Sequence, residues 1–244
     1  MIPSHRHLNI GALVFDRMDQ IDLTGPFEVF SRLPNTSCHL YGITSRSVRD
    51  VRGLRLTPDA ALAEAPPLDV LHVPGGFGQE ALMADETVLA WLRAQAAGAH
   101  HVFSVCTGAL LCGAAGLLRG RHATTHWSCQ HLLPFYGAIP VDARVVVDGN
   151  WVFAAGVTAG MDGALRLASM LRGEAAAQAI QLYMAYAPEP PFDCGTPETA
   201  PAAILATARR ASAEITAQRK RTAIRIAAAL GIRVPGPDRP THLA

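Results

Sequence analysis

The chain reads as an α/β protein, with a mostly parallel sheet covered by helices on both faces. Short apolar runs bounded by turn residues, segments of helical period between them, and short connecting loops together predict it. With 244 residues, half of them hydrophobic and 17% charged, the chain is long enough for one sizeable α/β domain.

Residues 8–15 are a buried first strand, and residues 21–30 lead through a loop into a helix with Pro26 near its first turn. Residues 38–44 form a second strand and residues 46–56 a hairpin excursion. Residues 68–73 form a third, ended by Pro74, Gly75 and Gly76, with a helix following over about 79–97. The next strand ends at Val105, and a helix over 108–118 starts behind Cys106 and Thr107. Residues 123–127 open a helix toward Phe135, and Asp148-Gly149-Asn150 joins two strand-like runs as a hairpin. A long helix to about Tyr186, a Pro-rich loop and a last helix over about 202–230 complete the chain. The expected organisation is a single domain over 1–233, including a C-terminal helical extension of about 199–230, with a flexible tail at 234–244.

A formal charge of +1 offers no electrostatic attraction to nucleic acid. No apolar run approaches the roughly 20 residues of a membrane span. Five dispersed cysteines, none in a CxxC pair, suit a reducing cytoplasm and argue against a disulfide framework or a zinc site. No metal or organic cofactor is expected.

Chemistry centres on Cys106. At a strand-to-helix turn the sulfur is exposed, and the helix N-terminus behind it favours the thiolate and lowers the thiol pKa. A buried structural cysteine is the competing reading, and the one that suits Cys38, Cys112 and Cys129. Cys194 sits in a loop. In parallel sheets ligands bind at the carboxyl ends of strands, so Gly75 and Gly76 share a rim with Cys106 and offer backbone N–H groups to a substrate. Arg209, Arg210, Arg219, Lys220, Arg221 and Arg225 decorate the last helix. Its apolar positions, Ile204, Ala208, Ala211, Ile215, Ile226 and Leu230, make it a surface helix packed on the domain or on a partner copy.

The motifs Asp22-Leu23-Thr24-Gly25-Pro26, Pro74-Gly75-Gly76, Ser104-Val105-Cys106-Thr107-Gly108 and Ala123-Thr124-Thr125-His126-Trp127 stand in an order that resembles the ThiJ/PfpI superfamily. Within it, the nearest resemblance is to the isocyanide hydratases. The resemblance implies a flavodoxin-like sandwich, a cytoplasmic homodimer, and hydration of a small-molecule isocyanide to an N-substituted formamide through a covalent cysteine thioimidate. It implies Cys106 as nucleophile and Asp22 as its acid partner, with Gly75, Gly76, Thr107 and Val157 supporting the substrate or the thiolate. The Val157 backbone N–H is expected near the sulfur. Much of the superfamily carries glutamate at the Asp22 position, and its proteases carry histidine where Thr107 stands. The first departure favours the hydratases over glyoxalase-like relatives, and the second disfavours a Cys-His hydrolase. His126 is expected to be structural. The alternatives are a glyoxalase-like thiol enzyme, a non-enzymatic amidase-like sensor lacking a DNA-binding domain, and a redox sensor built on Cys106.

Overall fold

Alternating side-chain direction explains why the central sheet is covered twice. In the strand His101–Val105 (β7), Val102 belongs to one apolar cluster and Phe103 to another, on opposite sheet faces. The computed structural model describes residues 2–234. The other sheet strands are Leu8–Val14 (β1), Thr36–Gly42 (β2), Ala60–Ala61 (β5), Val70–Val73 (β6), Val145–Asp148 (β10) and Trp151–Ala154 (β11). Two small pairings lie outside it: Val48–Arg49 (β3) with Arg55–Leu56 (β4), and His122–Ala123 (β8) with Ile139–Pro140 (β9).

The sheet runs β10-β11-β7-β6-β1-β2-β5 and is parallel except for the β10–β11 hairpin. The chain leaves β1 toward β2 on one side, while β6 and β7 lie on the other. That reversal opens a crevice at the carboxyl ends of β1 and β6. Helices Gln20–Phe30 (α1), Ala159–Arg172 (α5) and Glu174–Tyr183 (α6) cover one face through Phe30, Leu167 and Ile180. Helices Glu86–Gly98 (α3), Gly108–Ala114 (α4) and Ala213–Ala229 (α8), with a 3-10 segment over Trp127–Tyr136, cover the other.

Several expected helices are interrupted, each for a local reason. The segment over 79–97 divides into Gln79–Leu82 (α2) and α3, because the Asp85 side chain caps α3 by accepting from the N–H groups of Thr87 and Val88. Gly173, with φ of 90°, divides the long helix into α5 and α6. Gly116, with φ of 79°, follows the early end of α4. The last helix breaks at Ser212 into Ala202–Ala211 (α7) and α8.

The expected apolar stripe faces the core only in part: Ile226 packs half-buried against it, whereas Ile204 is exposed. Helix α7 buries no residue, and α8 packs inward through Arg219, Thr222, Ala223 and Ala227. Small residues bring α8 close, and the long side chain that is buried is Arg219. Residues 235–244 of the expected tail lie outside the described residues. Among the described residues, no helix is long and apolar enough to cross a membrane.

Candidate active site

Cys106 sits at the bend between β7 and α4 with φ of 56°, a left-handed conformation that a residue with a Cβ adopts at an energetic cost. Surrounding contacts hold it there. Its N–H donates to the Ala154 carbonyl (2.9 Å), and the Thr125 hydroxyl donates to its own carbonyl (2.7 Å). The loop after β6 packs directly against this bend. A Cβ at Gly108 would lie 2.0 Å from the Val73 carbonyl oxygen, and one at Gly75 would lie 2.5 Å from the Thr107 nitrogen. Only glycine allows the two backbones to approach this closely.

Asp22, in the first turn of α1, is fully buried beside the sulfur. Its Oδ2 accepts from the Gly75 N–H (3.0 Å), and Oδ1 has no well-formed hydrogen bond among the described residues. Burial, reinforced by the charge of Asp19, pushes the Asp22 carboxyl up to about 8, against hydrogen bonding from Gly75 and the Cys106 thiol. The carboxyl is therefore largely protonated at neutral pH. His72, on β6, donates from Nε2 to the Asp22 backbone carbonyl (3.0 Å). Burial lowers its pKa to about 3, so this imidazole is a neutral support beneath α1. Its sequence signal was a lone histidine inside an apolar strand run.

The sulfur is less accessible than expected. Cys106 is only 7% exposed, and burial, then the Asp22 charge, raises its thiol pKa well above the ordinary value. Hydrogen bonding from the Thr107 backbone and the charge of Arg219 oppose that rise. The expectation of an exposed thiol acidified by a helix is thus corrected. Desolvation by burial outweighs the hydrogen bond and the charge that favour the thiolate. Cys106 faces a cavity of about 120 Å³ whose walls include Phe77, Thr107, His126, Val157 and Arg219. A larger groove of about 520 Å³, between Phe15 and Ile215, holds neither Cys106 nor Asp22.

The expected supporting residues take more specific places. The Gly75 N–H serves Asp22, and the Gly76 N–H donates to the Thr107 hydroxyl (3.0 Å). Both donors hold the site together, which corrects the expectation that they face a substrate. The Thr107 hydroxyl donates in turn to the Gly76 carbonyl (3.2 Å). Val157 lines the cavity, while the backbone group that supports the sulfur belongs to Thr107. His126 accepts from the Ser128 hydroxyl (2.8 Å) and N–H at Nδ1, capping the 3-10 segment. Burial pushes its pKa down to about 4, so it is neutral. Cys112 is buried and its thiol is pushed up to about 12, whereas Cys38 and Cys194 are half-buried. Cys129 is buried but not inert in its contacts, since its sulfur accepts from Arg219 (3.4 Å). Among the described residues, no group of three or more His, Cys, Asp or Glu is gathered to hold a metal ion.

Sequence reasoning missed two features of this site, the support from His72 and the wall contributed by α8.

A buried cysteine on a left-handed elbow, paired with a carboxyl from α1 at the switch point of a parallel sheet, defines the class of site. The DJ-1/PfpI family model matches residues 9–170, and the chain belongs to that family. It is 49% identical to an isonitrile hydratase of Pseudomonas putida, over 93% of this chain and 99% of that protein. A crystal structure of a ThiJ/PfpI family protein from Pseudomonas syringae superposes with a TM-score of 0.88 at 38% identity, covering 91% of this chain and 93% of that one. DJ-1beta of Drosophila melanogaster shares the fold at 22% identity with a TM-score of 0.69, across 75% of this chain and all of the other.

Proposed function

We propose that this chain hydrates isocyanides to N-substituted formamides, with Cys106 as nucleophile and Asp22 as the group that moves protons. The observation that carries the reading is the Cys106–Asp22 pair, whose carboxyl holds its proton to about pH 8 at the edge of a small cavity. The likeness to the isonitrile hydratase of Pseudomonas putida supplies the substrate class.

In the reactive form the pair holds one proton, on Asp22, and the charge sits on sulfur. The thiolate adds to the terminal carbon of R–N≡C, and Asp22 protonates that carbon, giving the thioimidate R–N=CH–S–Cys106. Asp22, now a carboxylate, takes a proton from water as the hydroxide adds to the same carbon. It passes that proton to nitrogen. Collapse of R–NH–CH(OH)–S–Cys106 returns the hydroxyl proton to Asp22, breaks the C–S bond and releases R–NH–CHO. Both residues are regenerated, and no oxidant, reductant or further reactant enters.

Incubation with a small alkyl isocyanide, with formamide followed by NMR, tests the reading. Wild type is expected to turn over, Cys106→Ala to lose turnover entirely, and denatured wild type quenched during reaction to carry a thioimidate-mass adduct on Cys106. Full activity in Cys106→Ala, or turnover of methylglyoxal and not of the isocyanide, would overturn it.

A further inference from the structure

Helix α8 lies beyond the stretch that the family model matches, yet it delivers a buried cation to the cavity of Cys106. Arg219 is 5% exposed. Its Nε donates to Gln79 Oε1 (3.0 Å), one terminal nitrogen to the Cys129 sulfur (3.4 Å), and the other to the Gly76 carbonyl (3.1 Å). The guanidinium also lies 5.9 Å from the centre of the Phe77 ring. All of these partners are formally neutral. Glu80, the neighbouring buried carboxylate, is engaged by the Thr222 hydroxyl (2.5 Å) and the Gln79 amide (3.5 Å). A buried charge without a paired counter-ion is expensive, and it persists where a function or a surrounding network requires it.

The arrangement has a simple electrostatic sense. Cys106 and Asp22 together hold one negative charge when one proton is shared between them, and Arg219 in the same cavity supplies one positive charge. The Gly76 carbonyl that Arg219 holds is the one that Thr107 also holds, so the cation is tied to the loop flanking the sulfur.

We propose that Arg219 is a positioning residue for the reaction, serving as the counter-charge that sustains the Cys106 thiolate while fixing the Gly76 loop against the elbow. This rests on the reading of Cys106 as nucleophile. It places part of the catalytic machinery in the C-terminal helices, outside the stretch matched by the family model. The titratable and charged groups that act on the thiol or line its cavity are Asp22 and Asp19 near the start of α1, His126 beside the 3-10 segment, Cys129 on it, and Arg219 itself, with Glu80 and Tyr136 next to one another near Arg219.

The test reads thiol ionisation directly and requires no isocyanide. The pH dependence of Cys106 alkylation by iodoacetamide, mapped by mass spectrometry on the full chain, is compared in wild type, Arg219→Gln and Arg219→Lys. Removing the charge in Arg219→Gln is expected to raise the alkylation midpoint by about one pH unit, a roughly tenfold loss of reactivity below the midpoint. Arg219→Lys keeps the charge and is expected to hold the midpoint near wild type, although it loses the fork of hydrogen bonds. A purely structural role would move both variants alike. An unshifted Arg219→Gln midpoint, or an Arg219→Lys midpoint shifted as far, overturns the proposal. If both variants fail to fold by circular dichroism, Arg219→Met decides, since it fills the same space without the charge: a midpoint raised as for Arg219→Gln supports the proposal, and an unshifted one overturns it. Loss of isocyanide turnover in wild type would sink the reaction and leave this measurement readable. An unshifted midpoint with intact turnover would sink only the role of Arg219.

Discussion

The cavity at Cys106 has two walls built by different physics. On the elbow side, backbone meets backbone: Gly108 touches Val73, Gly75 touches Thr107, and Cys106 takes a left-handed conformation. On the α8 side, a long side chain crosses the gap from a surface helix and reaches Gln79, Gly76 and Cys129. The first wall is rigid because its atoms have nowhere to go. The second is held by hydrogen bonds and by the charge itself. Geometry of Cys106 therefore belongs to the elbow, and its electrostatics belong in part to the distant helix.

The sharpest way to break the elbow wall is Gly108→Ala. The added Cβ meets a carbonyl oxygen at 2.0 Å, and both partners are backbone, so β6 and the elbow must separate. A loss of about 3 kcal/mol or more in urea unfolding is expected. Gly98→Ala is its control, because that position lies at the exposed end of α3 with open space around it. There the stability should hold or rise by about 0.5 kcal/mol.

Asp22→Asn sharpens the comparison through pH. The carboxyl has a folded value near 8 against an ordinary 3.8, so its contribution to stability is complete below about 4 and is lost as pH rises toward 8. Thermal melts of Asp22→Asn and wild type should therefore converge at acid pH, with the variant gaining relative stability as pH climbs to about 8. Its turnover should be crippled at every pH, while wild-type turnover should rise toward pH 8, where the pair gives up the first of its two protons. Parallel melting curves at all pH values would contradict the raised carboxyl.

The smallest effect is expected on the α8 side, from Thr222→Val. It removes the hydroxyl that donates to Glu80 and leaves a buried carboxylate with one partner fewer. About 1–3 kcal/mol of stability should be lost, measured by chemical denaturation, without a change in the fold. A loss equal to that of Gly108→Ala would show that the two walls are equally rigid.

Much of this was legible along the chain. Alternating apolar runs and helical segments predict the parallel sheet, and Gly75, Gly76 and Cys106 fall at strand ends that such a sheet brings to one rim. Asp22 was legible only through the resemblance, because Asp-Leu-Thr-Gly-Pro reads equally well as a cap and turn. The breaks at Asp85 and Gly173 were written in the sequence as a cap and a glycine, within segments whose apolar period ran on through them. The face of α8 was legible through Ile215 and Ile226, but that Arg219 and Thr222 would be buried between them was not, because charged and hydroxyl residues read as solvent-facing.

Local period and backbone freedom are enough to mark out the strands and helices in order, the candidate nucleophile and the glycines that let two loops touch. Tertiary structure alone decided the protonation of the site. Burial of Cys106 and Asp22, and a cation carried in from more than a hundred residues away, set charges that no local pattern encodes, because desolvation and Coulomb interaction depend on neighbours in space.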